Sequence, residues 1–381
     1  MSELLDMGAL ELGRTIRRGE VGVLEVVDAH IAQIEAVNPH LNAVVSTRFD
    51  AARQEANAAQ KMLATPEAQD LGDLFGVPCT IKDFLAFTQL PQTAGMLKRK
   101  GQRPESNSTI VDRLRAAGAI ILGGTNVPEG GLWMETTNLL YGRTDNPWRR
   151  GHTPGGSSGG EGAIVACGGS PFGIGSDVGG SIRIPSSFCG TVGHKPSGRL
   201  VPNTGHYPPA DGDLGPYLVS GPLGRRVEDL EAIMRVIAGP DGHDDFCRSM
   251  PWSDGLPEDL SDVSVFPLES PGRVWVRGNM RAAVRDCADA LAARGARIET
   301  RTFAKLSRGF DIWAAMMSEA ADAHYDEVLG QGTPIKVWRE LAALPFGRSG
   351  HSFQALFLTA VDKATAPFQG VIGKLVQEGL A

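Results

Sequence analysis

The chain has 381 residues, 42% hydrophobic and 21% charged, which is ordinary for a globular protein and enough to bury a sizeable core. A formal net charge of −7 offers no basic footprint, which argues against a nucleic-acid partner. The five cysteines, at 79, 167, 189, 247 and 287, show no CxxC spacing, so they read as reduced thiols of a cytoplasmic protein rather than a disulfide or zinc framework.

The opening Met1-Ser2-Glu3-Leu4-Leu5-Asp6 carries acidic interruptions and no basic segment leading into an apolar run, which predicts no signal peptide. No apolar stretch reaches the ~18 residues that a membrane span needs. Residues 1–70 read as a helical region. Leu24, Val27, Ile31 and Ile34 repeat at helical spacing, and Asn38-Pro39 is expected to stop that helix. Residues 48–63, rich in Ala, Gln and Glu, predict a second helix. Residues 76–81 then read as a short strand ending at Lys82-Asp83. Ser108 is placed to cap a helix through Ile110, Val111 and Leu114, and Ala119-Ile120-Ile121-Leu122 reads as a buried strand closed by Gly123-Gly124. Past a glycine- and serine-rich centre, 142–222, Val227, Leu230, Met234 and Ile237 predict an amphipathic helix ending at Gly239-Pro240. Residues 241–272 read as a surface loop, Arg273-Val274-Trp275-Val276 as a strand, 281–293 as a helix, 296–299 as a strand, and the tail from 310 as helical. Helix–strand alternation makes an α/β fold plausible.

The centre is where chemistry concentrates. It contains Thr153-Pro154-Gly155-Gly156-Ser157-Ser158-Gly159-Gly160-Glu161 and Gly175-Ser176-Asp177-Val178-Gly179-Gly180-Ser181-Ile182-Arg183-Ile184-Pro185. A serine hydroxyl needs a neighbouring base before it becomes a nucleophile. A tetrahedral intermediate needs backbone N–H donors converging on its oxyanion, and small residues make such a nest accessible. Two glycines directly before Ser181 meet that need. The same composition also fits a flexible linker, although apolar segments flank it closely on both sides. Gly155-Gly156-Ser157-Ser158-Gly159 further satisfies the G-x-S-x-G elbow of α/β-hydrolases. That reading requires a histidine from among His194, His206, His243, His324 and His351, none of which stands in a motif.

Taken together, residues 155–160, 177–185 and 193–197 resemble the signature of the amidase family, and Val77-Pro78-Cys79-Thr80-Ile81-Lys82-Asp83 resembles that family's lysine strand. Within it, Gly159-Gly160-Glu161-Gly162, Val201-Pro202-Asn203 and residues 310–318 are most similar to fatty acid amide hydrolases of the second type. The resemblance implies a single amidase domain over 1–381, divided into a helical region 1–70, a signature core 71–240 and a partial C-terminal region 241–381. It also implies an α/β amidase-signature fold with a mixed, mainly parallel central sheet covered by helices on both faces.

By motif, the resemblance puts the nucleophile on Ser181, the bridging serine, held by a cis peptide bond, on Ser157, and the base on Lys82. Oxyanion donors would be the N–H groups of Val178, Gly179, Gly180 and Ser181, with Ser158, Asp177 and Arg183 organising the surroundings. The implied activity is hydrolysis of a small or hydrophobic acyl amide through an acyl-enzyme, with no cofactor and no metal. A homodimer stays open. Two alternatives remain: an amidotransferase component of the A type working inside a complex, and an inactive truncated homologue, since family members extend beyond residue 381. Missing closing strands would lower stability while leaving the catalytic residues intact. For Lys82 to act as a base, burial must depress its pKa from an ordinary value near 10.4. Asp83 beside it is expected to point to the opposite strand face.

Overall fold

A computed structural model describes residues 2–210, 212–252, 259–320 and 324–365. The chain divides into two compact units, one formed by Met1–Ser249 with Asp322–Ala364, the other by Met250–Ala321 with Thr365–Ala381.

The first unit opens with helices α1 (Ser2–Asp6), α2 (Ala9–Arg17) and α3 (Val23–Leu41). The N-terminus of α2 is capped from far along the chain: Asp229 accepts from the N–H groups of Ala9 at 2.8 Å and Leu10 at 2.9 Å, satisfying donors that a helix start leaves orphaned. Helix α3 runs through Pro39 and ends at Leu41, two residues past the predicted stop. The Asn38 side chain does not break the helix. It accepts from the N–H groups of Ala43 and Val44 and so organises the turn that follows, where Asn42 takes the left-handed conformation at φ 53°.

Strand β1 (Val44–Thr47) leads into α4 (Phe49–Met62), followed by β2 (Pro78–Lys82). Every residue of β2 is buried, as expected of a strand covered on both faces. Ser108 caps α5 (Thr109–Ala116), accepting from Val111 N–H at 3.3 Å. Strand β3 (Ile120–Thr125) continues through Gly123 and Gly124 rather than closing at them. These glycines let β1 come close: a Cβ on Gly123 would lie 2.3 Å from the Ser46 carbonyl oxygen.

The glycine-rich centre is threaded by regular elements. After β4 (Thr137–Asn138) come its partner β5 (Gly142–Arg143), α6 (Gly159–Ala166), β6 (Phe172–Asp177), α7 (Arg183–Cys189), β7 (Val192–Gly193) and β8 (Val219–Gly224), with α8 (Val227–Ile237) following. The main sheet runs β1-β3-β2-β6-β8-β7. Its centre, β3-β2-β6, is parallel, while β1, β8 and β7 pair antiparallel toward the edges. Helices α4 and α5 pack on β3, α6 on β2 and β6, and α8 on β8, an α/β architecture with a mixed sheet. The main core gathers Leu12, Ile16, Ile31, Ile34, Ile81, Ile121 and Phe172.

In the second unit, β9 (Ser264–Val265) pairs in parallel with β10 (Arg297–Ile298), with α9 (Gly278–Ala292) between them and α10 (Gly309–Ala320) after. The strand expected at 273–276 does not form. Val274 and Trp275 are exposed, and β10 takes its partner from 264–265 instead. The first unit is completed by α11 (Tyr325–Gly330), α12 (Val337–Ala343) and α13 (Phe353–Thr365); the end of the predicted helical tail, 366–381, lies outside the described residues.

Candidate active site

Parallel strands β2 and β6 are neighbours in register, Thr80 opposite Gly173 and Ile81 opposite Ile174. Their C-terminal ends therefore bring Lys82 and Asp177 to the same edge of the sheet, where α/β folds carry their sites. Lys82 is 0% exposed. Its Nζ lies 2.7 Å from Ser157 Oγ, 3.1 Å from Ser176 Oγ and 3.2 Å from the Ser176 carbonyl oxygen. The ring of Phe84 covers it at 4.4 Å from the centroid. Burial lowers the Lys82 pKa to about 7 against the opposing pull of Asp177 and Glu161. Asp83 turns away, as expected of the next residue on a strand: its carboxylate accepts from Thr93 N–H at 3.0 Å and from Gly95 N–H at 3.4 Å. Burial pushes its pKa up to about 7.

Ser157 stands just before α6, after a cis Gly156–Ser157 peptide bond. Its neighbour Ser158 ties two segments together: its N–H donates to the Ser181 carbonyl at 3.0 Å, and its hydroxyl donates to the Ser176 carbonyl at 3.3 Å. A Cβ on Gly175 would sit 2.8 Å from Ser158 Oγ, so β6 needs a glycine there for α6 to approach.

Asp177 shapes the turn that carries Ser181. Its carboxylate accepts from the N–H groups of Gly180 at 2.8 Å and Ile182 at 2.9 Å, and pairs with the Arg183 guanidinium at 2.8 Å. Burial alone would raise the Asp177 pKa, but Arg183 and these N–H groups outweigh it and hold the carboxyl below its ordinary range. The Gly180 N–H, expected to serve an oxyanion, is therefore engaged by Asp177. Gly180 adopts φ 120° in this turn, where a Cβ would also meet Ile184. Half-buried Ser181 hangs on the Ser158 N–H through its backbone. Among the described residues no hydrogen bond joins the Ser181 and Ser157 hydroxyls.

Three further residues belong to this network, none of them assigned to it from the sequence. Ser176 presents both its hydroxyl and its carbonyl to Lys82. His206 Nε2 lies 2.9 Å from Ser176 Oγ, reached from 30 residues along the chain with no local motif to signal it. Glu161 accepts from Thr80 at 2.6 Å and Thr125 at 2.9 Å, with its pKa pushed up to about 7 by burial. Glu161 does carry a signal: it is the lone charge in an otherwise apolar or glycine helix, GGEGAIVA. Of the other histidines considered for a G-x-S-x-G elbow, His351 pairs with buried Glu129 at 2.8 Å and His324 with Asp362 at 3.3 Å.

A protein-family model described as Amidase matches residues 25–354. The chain is 36% identical over 376 residues to Fatty-acid amide hydrolase 2-A of Danio rerio, covering 94% of this chain and 69% of that one. It is 35% identical over 332 residues to the A component of the Glutamyl-tRNA(Gln) amidotransferase of Synechococcus sp. (strain CC9605), covering 85% of this chain and 66% of that one. Among solved structures, a bacterial aryl acylamidase of the amidase signature enzymes superposes with a TM-score of 0.76 at 27% identity, covering 96% of this chain and 74% of that one.

Proposed function

Because the chain belongs to the amidase signature family and is thus a hydrolase acting on amide C–N bonds, we propose that Ser181 is its nucleophile, Ser157 its proton relay and Lys82 its base. The observation that carries this reading is the fully buried Lys82 amine, 2.7 Å from Ser157 Oγ and with a pKa lowered to about 7. An amine poised there is half neutral near pH 7 and can accept a proton.

Neutral Lys82 takes the Ser157 hydroxyl proton as Ser157 takes that of Ser181. Ser181 Oγ then bonds to the amide carbonyl carbon, and negative charge develops on the carbonyl oxygen. We read backbone donors for it from the turn at 178–181, first the N–H groups of Gly179 and Ser181, since the Gly180 N–H is bound to Asp177. As the intermediate collapses, the C–N bond breaks and the proton on Lys82 returns through Ser157 to the departing amine. Water attacks the resulting acyl-enzyme ester along the same relay and releases the acid. Asp177, Arg183 and Ser158 hold this geometry without entering the proton path.

The substrate class is read from the likeness to a fatty-acid amide hydrolase: an amide with a hydrophobic acyl group. Incubation with a fluorophosphonate probe followed by peptide mapping tests the assignment. The adduct is expected on Ser181 and lost in Lys82→Met; an adduct on another residue overturns the nucleophile. The similarity to an amidotransferase component supports a second reading, in which the chain releases ammonia only inside a complex. The purified chain alone decides: turnover of an acyl p-nitroanilide excludes that role, and inertness toward it together with activity on glutamine in a complex would replace the first reading.

A further inference from the structure

Around Lys82 Nζ stand three hydrogen-bonding oxygens: Ser157 Oγ, Ser176 Oγ and the Ser176 carbonyl. A neutral amine brings two N–H donors and one lone pair to them. The carbonyl can only accept, so it takes one N–H. Which way the other N–H and the lone pair face depends on Ser176, whose hydroxyl can either donate or accept. If it accepts, the second N–H is spent on it and the lone pair faces Ser157. If it donates, it occupies the lone pair, and Ser157 has no base.

His206 decides between these. Its Nδ1 lies 2.8 Å from the Pro208 carbonyl oxygen, an acceptor only, so Nδ1 carries the ring proton. Burial, with the charge of Lys82 nearby, drops the His206 pKa to about 3, and the ring stays neutral. Its Nε2 is then bare and accepts from the Ser176 hydroxyl at 2.9 Å. The Ser176 proton is drawn away from Lys82, and the Ser176 oxygen is left as an acceptor. Phe84 keeps the ring in place with an edge contact at 5.4 Å between centroids.

We infer that His206 is a positioning residue which, through Ser176, keeps the Lys82 lone pair aimed at Ser157. The inference rests on the reading of Lys82 as the base. It makes an uncommon demand: the harm done by removing His206 must come from Ser176, so deleting the Ser176 hydroxyl should relieve it.

The test is a double-mutant cycle in the full chain, read as the rate of p-nitroaniline release from an acyl p-nitroanilide. His206→Phe keeps a ring beside Phe84 but offers no acceptor. It is expected to lower kcat about tenfold or more, part of the ~10²–10⁴-fold that a positioned base contributes, with KM unchanged. His206→Gln, whose amide oxygen can stand near the Nε2 position, should recover at least about tenfold of that loss. In the Ser176→Ala background, His206→Phe should cost nothing further. Multiplicative losses in the two variants overturn the inference, because a purely structural histidine gives that result. Should His206→Phe fail to fold, judged by its melting curve, His206→Gln against His206→Asn decides instead. Asn is too short to reach Ser176, so equal kcat for the two overturns the inference as well. Lys82→Met separates the two levels of argument. An active Lys82→Met strikes down the base itself, whereas an inactive one beside an uncoupled His206–Ser176 pair strikes down the positioning role alone.

Discussion

The edge of the main sheet where β2 and β6 end and the unit containing β9 and β10 handle side chains in opposite ways. At the sheet edge, polar and ionisable groups are buried and matched: Lys82, Ser157, Ser158, Ser176, Asp177 and Glu161 are all buried and all hydrogen-bonded. In the second unit, large apolar groups such as Val274, Trp275 and Phe310 are exposed, and its ion pairs, Arg273–Asp311 among them, sit at the surface. Buried polar groups cost free energy unless each finds its partner. A cluster so fully matched has little freedom to change, and small alterations there should be felt in rate and pH response. The second unit offers mostly exposed groups, where substitutions should be felt weakly.

The contrast is tested most severely at Lys82. Lys82→Met keeps the volume of the stem and removes the amine. We expect kcat to fall about 10³-fold or more, within what loss of a general base and its relay produces, while the melting temperature shifts by only a few degrees. A parallel collapse of folding and rate would mean that the amine is there to hold the structure. Gly173→Ala is the next largest effect and acts on stability. The added Cβ would stand 1.8 Å from Glu161 Oε2 and 2.9 Å from Thr80 Oγ1. Overpacking of this kind costs about 1–3 kcal/mol, measurable as a lower denaturant midpoint with unchanged slope. A neutral outcome would show that the Glu161 pocket is looser than its geometry implies.

The same contrast explains what is legible in the sequence. Lys82, Ser157 and Ser181 are singled out because local motifs around them resemble the amidase signature, and the mixed-sheet fold class comes from the same resemblance, helix–strand alternation pointing only to α/β. Helix α5 is readable because Ser108 announces it. The extent of β3 is not, because Gly123 serves close approach to Ser46 rather than chain reversal, and only the neighbouring strand reveals that. Strands β6 and β8 hide inside a glycine-rich stretch whose composition mimics a loop. His206 stands in the sequence only as one of five histidines without a motif, because its partner Ser176 is brought to it by the fold alone. In the second unit, Arg273-Val274-Trp275-Val276 has the composition of a strand, yet β10 finds its partner at 264–265.

Glu161→Gln sharpens the comparison through pH. Glu161 raises the Lys82 pKa, so removing its charge should lower it. Activity requires the neutral amine. In the parent chain kcat/KM therefore falls as pH drops through about 7, and in Glu161→Gln that limb moves to lower pH by less than a unit, because Glu161 is itself only partly ionised there. Stability carries its own sign. A carboxyl whose folded pKa is raised from 4.5 to about 7 favours folding fully below 4.5, and that contribution is lost as pH rises through 7. The melting temperature of Glu161→Gln relative to the parent should accordingly climb between about pH 5 and 8. A limb that stays put or moves upward removes Glu161 from the electrostatics of Lys82.

The smallest effects belong to the second unit. Trp275 is 79% exposed, so Trp275→Ser takes little apolar area out of a packed environment and should change stability by no more than about 0.5 kcal/mol. Arg273→Ala breaks an ion pair whose two side chains are 59% and 36% exposed, and pairs of that kind contribute about 0–1 kcal/mol because solvent screens them and side-chain entropy opposes them. Neither variant should alter kcat. Thermal melts beside a rate measurement decide, and the informative failure is Trp275→Ser. A drop of several degrees would mean that this indole is covered in the folded protein by something the exposed surface does not suggest, and the second unit would then have to be counted with the packed sheet edge rather than set against it.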